Sequence, residues 1–218
     1  MTTSPRPSAG FLEPNAYVDS DHPGVIAFAE RHRSAHGEIA TAVALYEAIR
    51  DGYRYNPWHV SLEASDYRAS VLLERTRERG GHCIDKALLL AACARALGIP
   101  SRLHFANVRN HIGTAKLEAQ LGTNLLVFHG YTGLYLEGRW VAATPAFNKE
   151  LCAHLGVPPL EFDGRSDSVL QTYSPQGDRF IEYVEDHGAF PDVPHAKMLA
   201  EWQKHYGHVA REGWPSAS

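Results

Sequence analysis

The chain has 218 residues, 44% of them hydrophobic, enough to bury a sizeable core in one folded unit. A net charge of −4, with 21 basic residues in no long run, leaves no cationic footprint for nucleic acid or anionic membrane. No segment approaches a membrane span, the polar residues 1–10 lack the apolar region of a signal peptide, and three cysteines without a CxxC pair match a reducing cytoplasm.

Residues 21–50 carry an apolar series, Val25, Ile26 and Phe28, then Ile39, Val43, Leu45 and Ile49, that predicts helix, broken in two around residues 34–37. Residues 65–79 read as a further helix that stops at Gly80-Gly81. Arg79-Gly80-Gly81-His82-Cys83 then leads into an Ala/Leu-rich helix ended by Gly98 and Pro100. A glycine-rich turn of this kind delivers Cys83 to the first turn of a buried helix. There, unsatisfied N–H groups and the helix dipole favour thiolate, so the thiol is expected below its usual value of about 8.5. Cys93, in mid-helix, and Cys152 are expected to be structural.

After Pro100 the pattern changes to strands over residues 101–108 and 124–129, then residues 133–144 as two strands joined at Glu137-Gly138. A short strand over residues 180–184 and a terminal helix over 194–206 complete an α+β chain with an antiparallel sheet. The whole of residues 1–218 is expected to form one domain, with its motif core at about 40–150 and a C-terminal extension over 151–218.

A thiol nucleophile needs an imidazole in reach, and the imidazole needs a third group to fix its tautomer. Of 13 histidines, His129 is singled out because it ends the apolar run Leu125-Leu126-Val127-Phe128 and so stands on a rigid strand. His32 and His36, four apart, and His205 and His208, three apart, are spaced as ligands but bring no third or fourth donor, so no metal is expected. Trp140 is expected in the core or in a cleft wall.

Three blocks in order resemble the transglutaminase-like superfamily of papain-type cysteine enzymes. They are the cysteine opening a helix that ends Ala96-Leu97-Gly98-Ile99-Pro100-Ser101-Arg102, the strand histidine, and Gly138-Arg139-Trp140-Val141 before Pro145. The resemblance implies an α+β fold with the cysteine helix packed on an antiparallel sheet, Cys83 as nucleophile, His129 as base, and no cofactor. The family usually places aspartate before the proline, whereas this chain has Ala142-Ala143-Thr144-Pro145. Thr144 can accept a hydrogen bond from the ring but adds no charge, so it takes the third position with Asn148 and Asp163 as alternatives.

The expected chemistry is hydrolysis or acyl transfer at the amide bond of a peptide, protein or small amide substrate, through a thioester on Cys83. The Cys83 N–H would hold the oxyanion, with His82 or Trp58 as second donor. Residues 161–164 and the aromatic tail are expected to line or cover the cleft. Arg79-Gly80-Gly81-His82-Cys83 also resembles the Arg-Gly-Gly-x-Cys signature of arylamine N-acetyltransferases, although the segment expected around their third residue is absent. A non-catalytic binding domain is the alternative from another class, and thiol reactivity separates it from an enzyme.

Overall fold

The computed structural model describes residues 7–111, 115–170, 181–208 and 214. Helices α1 (Pro23–Arg31), α2 (Glu38–Gly52), α3 (Ala69–Arg79) and α4 (Cys83–Ala96) come first. Strand β1 (Ser101–Asn110), helix α5 (Ala115–Leu121), strands β2 (Leu125–Leu136) and β3 (Arg139–Ala143), helix α6 (Lys149–Leu155), strand β4 (Ile181–Phe190) and helix α7 (His195–His205) follow. The fold is α+β, as the residue patterns imply.

The expected break between the first two helices falls where Gly37 takes φ +101°, a conformation that favours glycine. Residues 65–79 do not form one helix. Arg68 is extended between a 3-10 turn, Ala64–Tyr67, and α3, because the Asp19 carboxylate accepts the Ser70 N–H at 3.1 Å and holds the start of α3 there.

Helix α4 is buried on all sides, with α1, α2 and α3 against one flank and β1 and β2 against the other. It carries Lys86, fully buried, whose ammonium donates at 2.8 Å to the carbonyls of Arg50, Tyr53 and Ala146. All three donors are satisfied, which ties α4 to the end of α2 and to the chain beyond β3.

The sheet order is β3-β2-β1-β4, every pair antiparallel. The strands expected at 124–129 and 133–136 are one strand, because β2 pairs with β1 from Leu125 opposite Arg109 to Leu134 opposite Ser101. His129 therefore sits within an inner strand rather than at its end. The turn from β2 to β3 is at Glu137-Gly138, with φ +48° and +82°, the primed geometry that suits strand twist. The strand expected at 180–184 extends from Ile181 to Phe190 along β1, and Phe180 lies outside the described residues. Helices α5 and α6 have no counterpart in the sequence reading. Among the described residues no helix is long and apolar enough to cross a membrane.

Helix α7 packs across β2 upstream of His129. The Trp202 indole donates to the Val127 carbonyl at 3.0 Å, while the Tyr206 hydroxyl donates to the Leu125 carbonyl at 2.6 Å and accepts the Val127 N–H at 2.7 Å. Aromatic side chains thus satisfy backbone groups that a neighbouring strand would otherwise take.

Candidate active site

The Gly-Gly turn places Cys83 by backbone proximity. Gly81 donates to the Arg54 carbonyl at 2.9 Å and accepts the Asn56 N–H at 3.0 Å. A Cβ on Gly80, whose φ is +77°, would stand 2.6 Å from the Arg54 carbonyl oxygen. Only glycine permits that approach. His82 then caps α4, its Nδ1 accepting the N–H groups of Ile84 at 3.1 Å and Asp85 at 3.3 Å. Asp85 returns the bond, accepting the His82 N–H at 3.1 Å, and its other oxygen takes Arg75 at 2.8 Å.

His129 is delivered from the other side by an irregular stretch of β2. The register with β1 shifts between Ala106 and Val108, and Phe128 opposite takes φ +64°, a conformation uncommon for a bulky residue. The buried Asn107 amide oxygen accepts the Phe128 N–H at 2.9 Å and meets His187 Nε2 at the same distance, which clamps the bulge. Gly130, next to His129, lets β2 reach the start of α4, since a Cβ there would lie 3.1 Å from the Ile84 Cα.

Cys83, His82 and His129 line one pocket of about 50 Å³. Its other walls are apolar or aromatic, with Leu117 and Leu121 from α5 on one side and Trp202, Tyr206 and Trp214 on another. The Trp214 indole donates to the Pro57 carbonyl at 2.8 Å, and its ring stands 5.1 Å from that of Trp202. The tail thus covers the pocket as expected. Residues 161–164 do not line it, since Phe162 packs on Tyr46 and Glu161 pairs with Arg50. The α5 contribution was detectable as the four-residue spacing of Leu117 and Leu121.

The apolar setting of the half-buried Cys83 reverses the expected acidity of the thiol. Burial pushes Cys83 up to about 11, only partly opposed by the N–H of Gly130, and the Asp85 carboxylate in the same helical turn pushes it further up. Burial pulls His129 down to about 4, and the neighbouring His82 ring adds to that shift. In this arrangement the pair is a neutral thiol and a neutral imidazole. Among the described residues the His129 Nε2 is buried with no hydrogen-bond partner. Cys93 and Cys152 are free and buried, as their sequence settings imply.

None of the third-position candidates lines this pocket. Thr144 is one residue past β3, with its backbone N–H bonded to Ser168 and its hydroxyl buried without a partner among the described residues. The Asn148 amide oxygen accepts the Tyr55 N–H at 3.0 Å. Asp163 is exposed, its carboxylate accepting the N–H groups of Arg165 and Ser166. Trp58 is not a pocket wall and lies under the Lys116 ammonium. Trp140 is outside the pocket too, half-buried with the Arg102 guanidinium 4.2 Å from its ring, because β3 is an edge strand.

Among the described residues neither histidine pair weighed for metal belongs to a converging group of three ligands. His32 follows the end of α1, with His36 in the loop beyond, and His208 bonds the Gln120 carbonyl while His205 meets Glu201. The ligating side chains that do converge among the described residues are Glu185, His187 and Glu201, within 4.8 Å of one another on β4 and α7, outside the pocket.

The sequence model of the family described as the Transglutaminase-like superfamily matches residues 26–145. No curated protein matches the chain. A solved candidate cysteine protease from Cytophaga hutchinsonii is similar to it at 19% identity and a TM-score of 0.52, over 87% of this chain and 49% of that one. The periplasmic domain of TgpA from Pseudomonas aeruginosa, solved with ethylmercury, is similar at 21% identity and a TM-score of 0.42, over 62% of this chain and 46% of that one. The chain therefore spans about half the length of these solved chains.

Proposed function

The chain belongs to the transglutaminase-like superfamily, and on that premise we propose that it is a cysteine-dependent hydrolase or acyltransferase acting on an amide or peptide bond through a thioester on Cys83. The observation that carries this reading is the meeting of Cys83, at the start of α4, and His129, within β2, in one pocket where the His129 Nε2 is buried and unpartnered. A base with a vacant nitrogen in the same pocket as a helix-terminal thiol is the starting arrangement for nucleophilic catalysis.

In the proposed reaction His129 takes the thiol proton and the sulfur attacks the carbonyl carbon. The carbonyl electron pair moves onto oxygen, facing the Cys83 N–H at the helix start. Collapse reforms the carbonyl and breaks the C–N bond as His129 returns the proton to the leaving amine. Water, or a second amine, then resolves the thioester with His129 as base. Thr144 is assigned the third role because its hydroxyl is uncommitted, while the Asn148 amide oxygen and the Asp163 carboxylate bond elsewhere. The substrate is a peptide, protein or small amide, and three free cysteines support a reducing, cytoplasmic setting.

The test is the pH dependence of iodoacetamide labelling at each cysteine, with trapping of an acyl-enzyme by an activated ester. Cys83 should label ahead of Cys93 and Cys152, slow at least tenfold in His129→Ala, and carry the acyl group. Labelling indifferent to His129, with no acyl-enzyme, would sink the proposal. That outcome favours the second reading, a binding domain, to which the uncharged Thr144 lends support.

A further inference from the structure

We propose that His82 is a catalytic residue of the same site, its Nε2–H serving as the second donor to the oxyanion formed at Cys83. The inference rests on the acyl-transfer reading above and adds the group that completes its transition-state binding.

The tautomer of His82 follows from its cap. Nδ1 accepts two backbone N–H groups, from Ile84 at 3.1 Å and Asp85 at 3.3 Å, and a protonated Nδ1 could accept neither. Among the described residues the carboxylate oxygen nearest it, Asp85 Oδ2, is 3.7 Å away and already accepts the His82 backbone N–H. The ring proton therefore sits on Nε2. Burial favours the neutral ring, which preserves the Nδ1 lone pair that the cap uses.

That Nε2–H has no acceptor among the described residues. His82 is 4% exposed, its Nε2 is buried with no partner among the described residues, and the residue is a wall of the Cys83 pocket. An orphaned buried donor costs about 1–3 kcal/mol, so native structures seldom leave one without a use. The Tyr67 ring, 6.3 Å away, and the two cap bonds hold the imidazole before any substrate arrives. Preorganised donors of this kind supply oxyanion stabilisation without reorganisation during the reaction.

The two imidazoles of the pocket thus divide the work. His82 has its lone pair committed to the cap and can only donate. His129 makes no such commitment and is the base. As sulfur bonds to the carbonyl carbon, the oxygen's new charge is shared between the Cys83 N–H and the His82 Nε2–H. No proton leaves His82 at any step.

The test compares wild type with His82→Asn, since asparagine is also a strong helix cap and lacks the Nε2–H. Two probes are used: N-acetyl-alaninal, whose thiohemiacetal carries the oxyanion, and iodoacetamide, whose displacement does not. Expected are an aldehyde affinity and an ester acylation rate each lower by about 100-fold or more in H82N, with iodoacetamide labelling within about twofold of wild type. Equal aldehyde binding and acylation in H82N would overturn the proposal, as would an iodoacetamide rate that falls in step with acylation. Wild type that alkylates at Cys83 but forms no thioester would instead overturn the underlying acyl-transfer reading. Imidazole nitrogen shifts of His82 in wild type give a check independent of the variant. Protonated Nε2 with bare Nδ1 is expected, and the opposite tautomer overturns the assignment.

Discussion

His82 and Asp85 hold each other across the first turn of α4: the His82 N–H donates to Asp85 Oδ2 at 3.1 Å, and the Asp85 N–H donates to His82 Nδ1 at 3.3 Å. The thiol of Cys83 lies between these two residues in sequence, so its position depends on their pairing. Arg75 adds the counter-charge, donating to Asp85 Oδ1 at 2.8 Å.

Asp85→Ala should therefore be among the costliest single changes near the site. It removes a fully buried carboxylate, leaves the mostly buried Arg75 with only the Asp66 carboxylate, 3.9 Å away, among the described residues, and frees the His82 N–H. A loss of about 3–5 kcal/mol is expected. For a chain of this size that is a fall of about 6–20 °C in melting midpoint, readable by calorimetry, and an unchanged midpoint would refute it.

Gly130→Ala tests how closely β2 must approach α4. The added methyl meets the Ile84 Cα at 3.1 Å and its Cγ1 at 3.2 Å, and a backbone atom cannot rotate away. Destabilisation of about 1–3 kcal/mol is expected from such overpacking. Urea unfolding measures it, and iodoacetamide labelling of Cys83 should change along with it, because the strand that moves carries His129.

Acid should weaken the fold through His129. Its value of about 4 in the folded protein lies below its ordinary 6.5, so between these limits the unfolded chain binds a proton that the folded chain does not. Stability contributed by the neutral ring is complete above about pH 6.5 and falls as pH drops towards 4, by about 3 kcal/mol in all. His104, also pulled down to about 4, acts in the same direction. Urea titrations of wild type and His129→Gln at pH 7.5, 5.5 and 4.5 should show a shallower loss in the variant, and parallel curves would contradict the assignment.

The cover over Cys83 sets its acidity, so thinning that cover should lower it. Trp214→Ala removes a pocket wall and the bond to the Pro57 carbonyl, while leaving the bonds of Trp202 and Tyr206 to β2. Cys83 should move from about 11 towards its ordinary range of about 8.5, with alkylation at pH 8 faster by at least about tenfold. Cys93, fully buried in the last turn of α4, is the internal control and should stay unlabelled.

Much of the site was legible in the chain itself. The start of α4 at Gly80-Gly81-His82, its end at Leu97-Gly98, and the hairpin at Glu137-Gly138 follow from local rules of capping and left-handed backbone, and the structure has all three. The meeting of Cys83 with His129 came from the order of motif blocks, not from spacing alone. Arg68, extended in the middle of an apparently helical run, was hidden because its cause is Asp19, some fifty positions away. The single long β2 was hidden for a similar reason, since β1 supplies its partners along nearly the whole length.

By itself, then, the sequence determined where Cys83 stands on its helix and which way that helix runs, because caps, glycines and apolar periodicity act within a few residues. Only the tertiary structure decided the acidity of the Cys83 thiol and the tautomer of the neighbouring His82. A thiol's acidity depends on how much water reaches it, and the groups that exclude water from Cys83, Leu117 and Leu121 on one side and Trp202, Tyr206 and Trp214 on the other, come from 34 to 131 positions further along the chain.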